Sequence, residues 1–197
     1  MTRLFGPQPI TASALLGATL RINLRVLVLV SCLGLTASLM AVLPTTQEAL
    51  VLVFPGTLIT RKEHWLTEAQ AQRAKVLAGM PLSGLWQVAY EARKEGRLVG
   101  VAFLDTHRVR TLQETAVVAI SPEGRILRVE VVAFREPEEY MAKEAWMRQF
   151  DGKQLNSQLT LKGAIRPLAG STLTANSLTD AARRSLALHQ LLYGEAK

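Results

Sequence analysis

From Val26 to Leu43 the chain reads VLVLVSCLGLTASLMAVL, eighteen consecutive residues without a charge, closed by Pro44 and the polar Thr45-Thr46-Gln47. As a helix such a run is about 27 Å long, close to the roughly 30 Å hydrocarbon layer of a bilayer. It is apolar on all sides rather than striped; Ser31, Thr36 and Ser38 are mild exceptions that can bond their own backbone. The pattern predicts one transmembrane helix over 24–43. A cleaved signal peptide fits less well, because about 25 residues precede the run and Leu39-Met40-Ala41 is a poor small-x-small site. Leu29-Val30-Ser31-Cys32 resembles a lipobox, but the run continues past Cys32, and lipidation there would leave an apolar stretch with no membrane to hold it.

Beyond the run the periodicity changes. Thr67-Glu68-Ala69-Gln70 offers a capping box, and a helix is predicted over 68–78 with Ala69, Val76 and Leu77 on its inward stripe and Ala74 at the stripe's edge. Segments 85–93, 97–105, 114–120 and 125–134 have β character, with Gly96 and Pro122-Glu123-Gly124 as the turns of two hairpins. In the last segment Leu127, Val129 and Val131 alternate with Ile126, Arg128, Glu130 and Val132, which predicts an inward face built on Leu127. Helical signals return at 142–150 and 178–192, the second with Leu178, Ala182, Leu186 and His189 in a core-facing stripe. Together these predict an α+β domain, a twisted antiparallel sheet with flanking helices, most simply on one side. The expected organisation is a cytoplasmic segment 1–23, the span 24–43, and an extracytoplasmic domain 44–197. No repeat or low-complexity tract interrupts it.

Charge sharpens the topology more than the chemistry. Arg3, Arg21 and Arg25 flank the N-terminal side of the apolar run with no acid among residues 1–47, the positive-inside pattern that leaves the remainder outside the cytoplasm. The net charge of +7 would suggest nucleic acid, but from residue 48 onward 20 bases interleave with 16 acids, as in Arg61-Lys62-Glu63. That is a solvated mixed surface, and no nucleic-acid partner is expected. One cysteine excludes an internal disulfide and any multi-cysteine metal site. His64, His107 and His189 lack ligand spacing, so no metal is expected, and the usual hydrolase, P-loop and dinucleotide motifs are missing.

The segment Ala169-Gly170-Ser171-Thr172-Leu173-Thr174-Ala175-Asn176-Ser177 is the most informative part of the domain. Its small and hydroxylated residues allow the backbone to approach a ligand, and the helix that follows presents amides suited to a phosphate. By composition alone the same residues read more readily as helix N-caps than as ligand contacts. The stretch Ala169-Gly170-Ser171-Thr172 resembles the Ser/Thr-Gly-Ala-Thr signature of the FMN-binding domain family, whose members include subunits of the sodium-translocating quinone reductase and of the Rnf complex, and nitrous-oxide reductase regulatory proteins. Arg135-Glu136-Pro137-Glu138-Glu139-Tyr140, then Trp146-Met147-Arg148-Gln149-Phe150-Asp151-Gly152-Lys153, are similar to motifs of that family in the same order. Gly100-Val101-Ala102-Phe103 and the stretch from Asp105 to Thr111 resemble the strand and loop before them.

The resemblance, which covers residues 55–190, implies a flavoprotein that relays electrons through FMN, rather than a free-standing enzyme with catalytic residues of its own. It implies that Thr172 fixes the phosphate, with Gly170, Ser171, Leu173 and Thr174 around it, Glu136 and Tyr140 at the ring edge, and roles open to Arg110 and Asn176. Arg166 stands near the place where the covalent signature carries an acid, and none occurs from Thr160 to Ser171. FMN is therefore expected either as a threonyl ester, attached by a flavin transferase, or bound without a covalent bond. Expected partners are the lipid bilayer and membrane or periplasmic redox proteins, at the outer side of a bacterial inner membrane. The competing reading is a non-redox accessory subunit that uses the same fold without flavin.

Overall fold

The computed structural model describes residues 43–194. The N-terminal segment and all but the last residue of the expected span lie outside the described residues. Among the described residues no helix is long and apolar enough to cross a membrane.

Five strands form one antiparallel meander in sequence order: β1 (Leu58–Trp65), β2 (Trp86–Lys94), β3 (Arg97–Arg108), β4 (Gln113–Ile120) and β5 (Ile126–Phe134). The β2–β3 turn is tight because Glu95 and Gly96 both take positive φ, 51° and 79°, the backbone that a two-residue hairpin needs. β1 is absent from the sequence-based expectation. It is an edge strand carrying Thr60, Arg61, Lys62 and Glu63 in its middle, so no clean apolar alternation marks it.

Helices cover both faces of the sheet, not one. On the outer face lies α1 (Thr46–Val53), started by a reciprocal capping box between Thr45 and Glu48. Its Ala49 and Leu50, with Phe54, pack on Ala92, Ala102, Val117 and Ala119. Small side chains hollow the sheet at this point, and a Cβ on Gly100 would collide with the Phe54 ring. On the inner face lie α2 (Glu68–Ala78) and the 22-residue α4 (Thr172–Tyr193), which bury Leu178, Ala182 and Leu186 against Val101, Phe103, Val118 and Ile120.

Three local expectations are corrected. The buried face of α2 is Ala74 and Ala78, while Val76 lies exposed; α2 packs on α4, and small residues let the two helices approach closely. In β5 a bulge opposite Ala119 and Ile120 inserts one extra residue, so Ile126 joins Val129 and Val131 inward and Leu127 turns out. The helix expected over 142–150 is broken into α3 (Glu144–Met147) and a 3-10 turn Arg148–Phe150, because the chain then turns back to pair with β5 through Gly152 N–H to Ile126 O, 2.7 Å.

Candidate functional site

Helix α4 begins at Thr172, six residues before the expected Leu178. Thr172 is thus the first helical residue and Ser171 its N-cap. Gly170, at φ 76°, supplies the left-handed turn that leads in, which a residue with a Cβ adopts only with strain. Ser171 makes no side-chain cap to the helix. The first-turn amides, which no intrahelical carbonyl can reach, therefore keep their donor capacity at the positive end of a long helix whose first turn carries no acid.

The hydroxyls beside Thr172 are used elsewhere. Thr174 Oγ1 donates to Tyr140 O at 2.7 Å, and Ser171 Oγ to Glu139 O at 3.4 Å. These bonds tie the first turn of α4 to the 3-10 turn Glu138–Tyr140. That turn follows Glu136, which is buried and acts as a clasp: its Oε1 accepts N–H bonds from Leu112 (2.8 Å), Thr111 (2.6 Å) and Arg110 (3.1 Å). Hydrogen bonds from the backbone of Leu112, then Thr111, hold its carboxyl below the ordinary carboxylate value. The clasp fixes the β3–β4 loop and so places Arg110, whose guanidinium carbon stands 5.9 Å from the centre of the Tyr140 ring.

Between these three segments lies a cavity of about 250 Å³, lined by Val109, Arg110, Glu136, Tyr140 and residues 170–174. All seven residues expected at the FMN site, Gly170, Ser171, Thr172, Leu173, Thr174, Glu136 and Tyr140, line it, together with Arg110. Their parts differ from those the sequence suggests. Glu136, Ser171 and Thr174 spend their polar atoms on the walls, whereas Thr172, Leu173 and Arg110 are exposed. Asn176 is not brought in: it lies within α4, exposed, beside a different hollow with Ala78 and Asp180. Trp146 and Phe150 stay in the core region, edge to face with ring centres 5.6 Å apart, and Trp146 Nε1 donates to Arg166 O at 3.0 Å.

The same helix carries a second polar cluster, which the sequence reading does not contain. On the inner face of β3 and β4, His107 Nδ1 lies 2.9 Å from Asp105 Oδ1 and its Nε2 2.9 Å from Glu114 Oε2. Arg184 of α4 binds Asp105 as a fork, both N–O distances being 2.7 Å. Burial disfavours the charged imidazole, but the two carboxylates outweigh it and push His107 up to about 9. Burial also works against the Asp105 carboxylate; Arg184 and then His107 more than offset this and hold it below its ordinary value. In Glu114, which is completely buried with Oε1 unpartnered, burial wins and the carboxyl is raised. Asp105 and His107 sit at i and i+2 on a face otherwise apolar, a signal present in the sequence; Glu114 and Arg184 are too far along the chain to be paired with them by inspection. Among the described residues no group of side chains has the arrangement of a metal site.

No protein-family model matches the chain, and no curated protein matches it in sequence.

Proposed function

We propose that the chain is a membrane-anchored flavoprotein, holding FMN by its phosphate at the N-terminus of α4 and relaying electrons within a membrane redox system on the outer side of a bacterial inner membrane. The observation that carries this reading is convergence: residues named from motifs some 34 positions apart, at Tyr140 and Thr174, meet around one cavity that opens onto uncapped helix amides. The donor set suits an anion. First-turn amides, the exposed Arg110 and the Thr172 hydroxyl all lie at its edge, and Glu136, the carboxylate in the lining, has its Oε1 engaged by three amides of the β3–β4 loop.

The cavity is smaller than the roughly 300–1,000 Å³ that encloses a drug-sized ligand. It therefore accommodates the phosphate end of a mononucleotide, with Tyr140 and Leu173 offering apolar surface at the mouth and the rest of the cofactor toward solvent or a partner. Bound FMN supplies the electron transfer itself. The chain's own residues position it: the α4 amides and Arg110 neutralise phosphate charge, and the Thr172 hydroxyl stands where an ester or a hydrogen bond would form. Protein extracted from membranes after co-expression with a flavin transferase should be yellow. If Thr172 carries the ester, the denatured chain keeps its fluorescence and Thr172→Ala abolishes it; retention in that variant rules out this attachment.

The small cavity also favours a second reading, an accessory subunit that keeps the fold to brace a membrane complex and carries no flavin. Colourless protein under the same co-expression decides for it.

A further inference from the structure

The outer face of the sheet is only half covered. α1 lies over Ala92, Ala102 and Ala119, but the other half carries Trp65, Trp86, Val88, Tyr90 and Leu104 around an open hollow of about 710 Å³. Trp65 and Trp86 are directly paired across β1 and β2, with ring centres 6.4 Å apart and exposures of 76% and 45%. Arg61 packs over the Trp86 ring, and Trp86 Nε1 donates to Glu63. On α1, the exposed residues are Gln47, Glu48, Val51 and Leu52, the last two by more than half. A soluble surface rarely leaves two tryptophans and this much aliphatic surface together.

We propose that this outer face rests on the lipid–water interface of the bilayer, with Trp65 and Trp86 at headgroup level and Val51 and Leu52 beside them. This rests on reading the run over 26–43 as a membrane span. Three features favour lipid over a protein occupant. The charge-free run ends only two residues before α1 begins, and such a link reaches about 10 Å at most, so an anchored chain holds this helix close to the membrane surface. Tryptophan has an apolar body and one N–H donor, the composition that partitions to bilayer interfaces. The third is the β1 edge, which carries Thr60, Arg61, Lys62 and Glu63 in its middle, with Arg61 ion-paired to Glu63. Those central β1 charges blunt the edge against pairing with a strand of a second copy.

The chain has three tryptophans, and Trp146, in the Trp146–Phe150 pair away from this face, serves as an internal control. The full chain is placed in nanodiscs of mixed zwitterionic and anionic phospholipid, with and without bromine on the acyl chains near the headgroup. In Trp146→Phe, which reports only the outer pair, bromination should lower the emission by about half. In the double variant Trp65→Phe/Trp86→Phe, which reports only Trp146, emission should not change. Unquenched emission from the outer pair in chains that float with the discs overturns the docking and leaves the span intact. Chains that fail to float with lipid overturn the span and the docking with it. Unquenched emission with two chains per disc overturns the proposal in favour of a second copy on this face.

Discussion

The inner side of the domain holds two polar clusters along α4, and they are built on opposite terms. The Asp105–His107–Glu114–Arg184 cluster is ionic and closed: a forked arginine and a doubly bonded imidazole satisfy the buried carboxylates, save one oxygen of Glu114. The cluster at the start of α4 is largely neutral and open. Its hydroxyls and the Glu136 carboxylate hold the walls, leaving helix amides, Thr172 and Arg110 uncommitted at the mouth. About 18 Å of helix separates Thr172 from Arg184. The contrast teaches that burying charges in mutual pairs fixes how a helix sits on a sheet, whereas capacity to bind arises where donors are held rigid but left without partners.

The comparison breaks most severely at His107. Removing it by His107→Ala leaves Glu114, completely buried, without any counter-charge, a loss of the kind that costs about 3–5 kcal/mol when one partner of a buried pair is deleted. Urea unfolding should show a midpoint far below the parent's. The chain that remains folded should still take up flavin normally, since the open cluster shares no hydrogen bond with His107. A variant as stable as the parent would mean that the cluster is not ionic in the folded protein.

The same cluster predicts a pH profile. His107 is raised from 6.5 to about 9, so its contribution to stability is complete below the unfolded value and disappears as pH rises through about 9. Asp105 is lowered, so its contribution is present above its unfolded value near 4 and disappears as pH falls through the folded one. Glu114, raised by burial, acts against the fold as it ionises and partly offsets the acid-side gain. The urea midpoint should therefore fall between pH 7 and 10, and His107→Gln should flatten that fall. A parallel fall in both proteins would place the alkaline transition elsewhere.

In the open cluster the sharpest test is Glu136, because three backbone donors of the β3–β4 loop depend on it. Glu136→Ala should release the loop, displace Arg110 and weaken flavin binding by about tenfold, equivalent to roughly 1.4 kcal/mol. Glu136→Gln retains one acceptor oxygen and should fall between that variant and the parent. Equal flavin affinity in all three, read by fluorescence titration, would separate the loop from the site.

How far the sequence reveals each region follows from the same contrast. The cavity residues are legible as short contiguous motifs, because each of its three walls is one local segment. The closed cluster is not, because His107 and Glu114 or Asp105 and Arg184 meet only after the strands and α4 are assembled. The capping box marks where helix α2 begins, yet of its buried face only Ala74, at the edge of the expected stripe, is legible, since alanines at a helix–helix contact carry little hydropathy signal. The inversion at Ile126 and Leu127 depends on a bulge that leaves no mark in the composition. α4 starts earlier than its apolar stripe suggests because its first turn, Thr172 to Ala175, is held by Tyr140 and not by periodicity.

The smallest expected effect concerns Gly170, and it separates backbone shape from contact at the open cluster. A Cβ here would meet open space, with nothing within 4 Å, so substitution has no steric cost from neighbours. The cost comes only from φ of 76°, a left-handed conformation that disfavours an ordinary L-residue by about 1–2 kcal/mol. Gly170→Ala should therefore lower the melting temperature slightly, and Gly170→Asn, whose side chain tolerates this region, should lower it less. Flavin affinity should follow the same order, because the turn at Gly170 sets the direction in which the first amides of α4 point. If Ala and Asn bind flavin like the parent while both are destabilised, the turn serves the fold alone and the anion is held by Arg110 and Thr172 without the helix.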